Sequence, residues 1–89
     1  MPLEELKKAE KKIAGMRQTM KAIENNIARA VYIARDAEEK VTSPAVRDCM
    51  EKGIPLFYVD TMAELGKACN IKVGASMAAI LTENEEGLD

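Results

Sequence analysis

The sequence predicts an α/β fold, a three-layer α/β/α sandwich with a small mixed sheet. Three observations carry this reading. Segments of helical and strand-like pattern alternate along the chain. The run Ala30-Val31-Tyr32-Ile33-Ala34 is continuously apolar and rich in β-branched and aromatic residues, as a strand covered on both faces must be. Turn and capping residues separate the segments, most clearly at Thr61-Met62-Ala63-Glu64, a capping-box pattern.

Taken in order, residues 3–14 read as a first helix, with Leu3, Leu6 and Ile13 apolar and a Glu4–Lys8 pair four apart. Gly15 breaks that run. A second helix follows over about 16–25 and frays at Asn25-Asn26, a pair suited to a turn. Its Met16, Met20, Ile23 and Ile27 fall on one side, and Arg17, Gln18 and Lys21 gather on another. The apolar run at 30–34 is the first strand, and Arg35 to Lys40 is the polar loop leaving it.

Ser43-Pro44 reads as an N-cap with proline at the first helical position. Ala45, Val46, Cys49 and Met50 then form an apolar stripe, and Gly53 stops the helix. Ile54 to Val59 reads as a strand, with Pro55 near its start because proline lacks an N–H. Thr61 opens a helix through Cys69, which Asn70 ends in a left-handed conformation. Ile71 to Ser76 is a loop with an apolar-basic-apolar tip, and Met77 to Leu81 is the last strand. Residues 1–82 thus form one domain, followed by a flexible acidic tail at 83–89.

Composition narrows the function classes. With one Phe, two Tyr and no Trp, the core rests on aliphatic residues and six Met, and base stacking on aromatic rings cannot be a main binding mode. No apolar run approaches the roughly 18 residues of a membrane span, and the N-terminus lacks the order of a signal peptide. A cytoplasmic protein is the expectation. Two cysteines, Cys49 and Cys69, fit core packing in a reducing compartment better than a disulfide. Without histidine, a metal site has almost no donors, and neither an acid–base pair nor an activated nucleophile is visible. The chain is therefore expected to be no enzyme and to need no cofactor, small-molecule substrate or membrane.

The formal net charge of −2 conceals a strong asymmetry. Residues 7–29 carry Lys7, Lys8, Lys11, Lys12, Arg17, Lys21 and Arg29 against only Glu10 and Glu24. Local charge governs polyanion binding, because salt screens beyond about 8–10 Å. Lys7 to Lys12 alone read as a solvated helix surface. The edge formed by Gly15, Met16, Arg17, Gln18 and Lys21 is different. It sets cationic and amide groups at a helix start, where free N–H groups and the helix dipole already favour an anion. In such sheets ligands meet loops at strand ends, which makes Asp36–Lys40 and Ile71–Ala75 the other candidates.

Five segments in order resemble one family: Gly15-x-x-Gln18-x-x-Lys21-Ala22-Ile23, Val31 to Ala37, Gly53-Ile54-Pro55-Leu56, Glu64 to Cys69, and Ile71-Lys72-Val73-Gly74-Ala75. Together they resemble the ribosomal protein L7Ae superfamily of kink-turn RNA-binding proteins, especially its small bacterial members, over about residues 8–81. The resemblance implies a three-layer domain that grips a kink-turn, a sharply bent RNA built around tandem sheared G·A pairs. It implies RNA contacts at Gly15, Arg17, Gln18 and Lys21, with Asn25 one turn beyond, where relatives often carry another basic contact. It also implies contacts from Glu38 and Val41 near an extruded nucleotide, and apolar packing on RNA from Ile71, Lys72, Val73 and Gly74.

Here Arg17-Gln18 stands where that family has Asn-Glu. Glutamate only accepts, whereas the Gln18 amide offers an acceptor and an NH₂ donor and gives up charge-assisted strength. Arg17 can compensate with a phosphate contact or a fork to guanine. The expected function is a monomeric, non-enzymatic binder of kink-turn RNA, ribosomal or otherwise. The alternative is a ribosome-assembly or protein-interaction module of the same fold with weak RNA affinity, to which the negative net charge and the Arg17-Gln18 change would point. If Thr61 caps its helix, Thr61→Ala lowers stability by about 1 kcal/mol in urea unfolding; an unchanged midpoint would place the helix start elsewhere.

Overall fold

The computed structural model describes residues 2–82; the acidic stretch 83–89 lies outside the described residues. The elements are α1 (Pro2–Lys8), β1 (Lys12–Ala14), α2 (Met16–Glu24), β2 (Ala28–Ala34), α3 (Glu39–Lys52), β3 (Leu56–Val59), α4 (Met62–Ala68) and β4 (Met77–Leu81). The sheet order is β1-β4-β2-β3. β4 runs antiparallel to β1 and β2, while β3 runs parallel to β2. The expected mixed sheet between helical layers is present.

Alternation along the central strands builds two cores. Ala30, Tyr32 and Ala34 of β2, with Ala78 and Ile80 of β4, pack beneath Leu6 of α1 and Leu65 and Ala68 of α4. Val31, Ile33, Met77 and Ala79 point the other way, against Ala22 and Ile23 of α2 and Ala45 and Cys49 of α3. One extra residue modifies the alternation. Ala28 opposes Leu81 and Ala30 opposes Ile80, so Arg29 is the added residue of a bulge. Ala28 consequently joins the α2–α3 core while Ala30 joins the other, and Arg29 is left exposed.

Several boundaries differ from the sequence reading, and β2 already starts at Ala28 rather than Ala30. The first helix ends at Lys8, not at residue 14, and 12–14 forms edge strand β1, with Ile13 opposite Ala79. The tertiary partner decides this: pairing with β4 satisfies backbone groups that a longer helix would satisfy internally, and places Ile13 and Ala14 against opposite cores. α3 begins at Glu39, so Ser43-Pro44 is not its start and Pro44 lies inside the helix. The buried Thr42 hydroxyl back-bonds to the Glu38 and Glu39 carbonyls at 3.5 and 3.4 Å, supporting that earlier first turn. Within α3, Met50 is 75% exposed and leaves the expected apolar stripe. β3 starts at Leu56; Pro55 precedes it, its carbonyl accepting from the Val31 N–H. The Thr61 cap is as expected, its hydroxyl accepting from the Glu64 N–H at 3.0 Å, and Asn70 has φ 64°.

Lysines secure the helix ends. Lys12, expected on a solvated surface, sends its ammonium to the carbonyls of Leu6, Lys7 and Ala68 at 3.2, 2.9 and 3.3 Å. It therefore joins the C-termini of α1 and α4, where a cation meets both orphan carbonyls and the negative dipole ends. Lys52 does the same for α2, donating to the Ile23 and Glu24 carbonyls and to Asn26 Oδ1. Lys12→Met, which keeps the stem and removes the donor, is expected to cost about 1–2 kcal/mol in chemical unfolding. A change inside error would show that water replaces the clamp.

Candidate nucleic-acid interface

Strands β1, β2 and β3 run in one direction, and each is followed by a helix. The N-termini of α2, α3 and α4 therefore meet on the rim where those strands end. Three positive dipole ends face the same side, at the edge where open α/β sheets receive ligands. Arg35 also stands there, held 3.6 Å from Asp60 and with its guanidinium 5.1 Å from the Tyr58 ring centre. Asp36 Oδ1 accepts from the Met62 N–H at 2.8 Å, fastening the loop after β2 to the start of α4.

Gly15 makes the turn from β1 into α2. Its φ of 102° with ψ 154° lies in a region that side chains disfavour, and a Cβ there would meet nothing within 4 Å. Glycine is required by the backbone, and the space above it is open. Its N–H donates to the Met77 carbonyl at 2.8 Å, pinning the turn to β4.

From this turn α2 presents two different sides. Met16, Arg17, Gln18 and Lys21 are exposed, while Thr19, Ala22 and Ile23 are buried. The buried stripe is thus shifted from the expected Met16–Met20–Ile23 line, leaving Met16 47% exposed and Met20 half-buried. The Thr19 hydroxyl is buried with no partner among the described residues.

Gln18 lines a depression of about 250 Å³ over edge strand β1, and Ile71 and Cys69 line the same depression from beyond α4. Arg17 and Lys21 line a different groove, between α2 and α3, together with Val41. A third concavity runs down α2 past Gln18, Lys21 and Asn25. The structure brings Gln18 to Ile71 and brings Arg17 and Lys21 to Val41. It sets Asn25 at the opposite end of α2, about 13 Å along the axis. Glu38 is the exposed N-cap residue of α3 at the rim.

The loop carrying Ile71, Lys72, Val73 and Gly74 is exposed, with Val73 71% accessible, yet its backbone is fixed. The Ile71 N–H donates to the Gly66 carbonyl and the Ala75 N–H to the Met62 carbonyl, both near 3 Å. A Cβ on Gly66 would fall 2.1 Å from the Val73 carbonyl oxygen, so only glycine lets the loop lie against α4. Sequence reasoning missed Gly66, although an isolated glycine inside a helical pattern is itself the sign of a packing demand. Lys12 was missed for another reason: nothing local tells a clamping lysine from a solvated one.

Cys49 and Cys69 are free and pack in opposite cores. Burial pushes the Cys49 thiol up to about 11 and raises that of Cys69 against the pull of the Lys12 ammonium. Among the described residues no cluster of three or more Cys, Asp or Glu is placed to hold a metal ion, and no helix is long and apolar enough to cross a membrane.

Fold and rim together define a doubly covered mixed-sheet domain with three helix starts and a docked apolar loop on one side. The chain belongs to the ribosomal protein L7Ae/L30e/S12e/Gadd45 family, whose profile matches residues 2–87. It is 51% identical over 69 residues to "RNA-binding protein TTE2299" of Caldanaerobacter subterraneus subsp. tengcongensis, covering 78% of this chain and 84% of that protein. It is 37% identical over 81 residues to "RNA-binding protein YbxF" of Geobacillus stearothermophilus, covering 91% and 99%. Among solved structures, the "Giardia lamblia 15.5kD RNA binding protein" superposes with a TM-score of 0.80 at 24% identity, over 97% of this chain and 72% of that one. That likeness is one of fold.

Gly66→Ala tests the docking of the loop. The helix propensity gained, about 1 kcal/mol, is outweighed by the clash, for a net loss of about 1–3 kcal/mol. Amide shifts should change from Ile71 to Ala75. Unperturbed shifts there would show that the loop does not rest on Gly66.

Proposed function

We propose that this chain binds structured RNA at a kink-turn, as a single copy and without catalysis, in the cytoplasm and in association with ribosomal or other folded RNA. The observation that carries the reading is the depression in which Gln18 and Ile71 face each other over the β1 edge, next to the open Gly15 turn. The RNA-binding names of the relatives support the choice of polymer.

The chemistry suits a bent RNA. The major groove of an A-form helix is too deep and narrow for side chains, whereas a kink opens it and splays bases outward. Gln18 can accept from one base edge and donate to another. Exposed Ile71 and Val73 give an apolar seat for unstacked bases, and Lys21 and Lys72 neutralise phosphates. Arg17 supplies a phosphate contact or a guanine fork. Glu38 and Val41 border the extruded nucleotide, and Asn25 marks the lower limit of the contact.

Binding is tested with a kink-turn RNA and a variant whose sheared G·A pairs are replaced by Watson–Crick pairs. Tight binding to the first and much weaker binding to the second is expected in a gel shift. Equal affinity would leave only non-specific electrostatic attraction. Gln18→Ala is expected to cost roughly 1–3 kcal/mol and to relax guanine preference, while Lys21→Ala reduces the salt slope by about one unit. Identical slopes for wild type and Lys21→Ala would remove Lys21 from the phosphate contacts.

A further inference from the structure

The groove between α2 and α3 is separate from the Gln18–Ile71 depression. It encloses about 580 Å³. Half-buried Met20, Val41 and Pro44 supply an apolar floor, and exposed Arg17, Lys21 and Lys40 stand along its edges. Both helices start at the same rim, so the upper mouth lies between two positive dipole ends. Towards the far end the charge changes. Glu24 and Asp48 line the groove there, and the Lys52 ammonium is already taken by the carbonyls and amide at the end of α2. Attraction for an anion is therefore confined to the rim half.

Pro44 adds a second, independent feature. Lacking an N–H, it leaves the Lys40 carbonyl without its usual donor four residues on. The Lys40 carbonyl is thus a helix acceptor without its i+4 donor, one turn before the Pro44 that lines the groove. Cations on the same helix start as such an acceptor match a ribose–phosphate strand, which presents phosphate oxygens and donating 2′-hydroxyls in alternation. An acidic peptide offers the negative charge without the regular hydroxyl donors.

We propose that the rim half of the α2–α3 groove carries the ribose–phosphate backbone of an RNA strand leaving the kink, with Lys40 on a phosphate and the Lys40 carbonyl on a ribose hydroxyl. This inference rests on the RNA reading above and extends the contact surface from the Arg17–Lys21 edge across to α3. Lys40 then sets how far along the flanking stem the protein reaches.

The test uses the full chain, Lys40→Gln, and two kink-turn RNAs, one with long flanking stems and one with stems cut back to the kink. Lys40 is exposed, so the substitution should leave folding intact. On the long-stem RNA, Lys40→Gln is expected to lower the slope of log affinity against log salt by about one unit. On the cut-back RNA the two proteins should coincide. Equal slopes on the long-stem RNA overturn the groove contact. Replacing ribose by deoxyribose in the flanking strands should weaken wild-type binding, and unchanged affinity overturns the hydroxyl contact. Gln18→Ala, run in parallel, should weaken both RNAs. A wild type that binds long kinked and straight RNA alike, but still loses slope in Lys40→Gln, sinks the kink-turn reading while the groove contact stands.

Discussion

Burial of the central strands on both faces is the constraint from which the rest follows. β2 and β4 expose almost no surface, so apolar helices must cover each side of the sheet. With β1, β2 and β3 aligned, each covering helix that follows one of them starts at the same edge. Hydrophobic packing thereby gathers three helix starts, their dipole ends and the loops between them on one rim. The fold sets Arg17, Arg35 and Lys40 on an edge that also carries Asp36, Glu38, Glu39 and Asp60, so the helix dipoles and individual side chains, not the net charge, decide where an anion is favoured.

Two lysines show how weak a charge count is as a guide to surface chemistry. Lys12 and Lys52 belong to the cationic inventory, yet each spends its donors on main-chain carbonyls at helix ends. Lys12 also stands in the wall of the depression that Gln18 and Ile71 share. It ties α1 and α4 to the strand beneath that wall, so it stabilises the geometry of the site from behind. Neither Lys12 nor Lys52 can be counted among the cations that face outward at the rim, such as Arg17 and Lys40.

The loop tip rests on a comparable economy of parts. Its side chains face solvent, but its backbone is held by two hydrogen bonds to α4 and by the missing Cβ of Gly66. If the proposed RNA contact is made, a loop fixed in this way presents Ile71 and Val73 without ordering its backbone at that moment, which would lower the entropic cost of binding. α2 contributes in the same spirit: just after a glycine pinned to β4, Gln18 lines the β1 depression and Arg17 the α2–α3 groove, while Lys21 borders both that groove and the concavity it shares with Gln18.

Local pattern determined much of this protein by itself. The double-faced strand, the Thr61 cap, the left-handed Asn70 and the glycine turn before α2 are all readable from residues close together, because propensity, capping and periodicity act over a few positions. Tertiary structure decided the remainder. Whether 12–14 continues a helix or pairs with β4, and which face Ala28 takes after the bulge, depend on partners distant in sequence. The roles of Lys12 and Gly66 are of the same kind, and so is the division of α2 between two grooves. Each turns on a contact with a residue many positions away, and no short-range rule contains the energy of that contact.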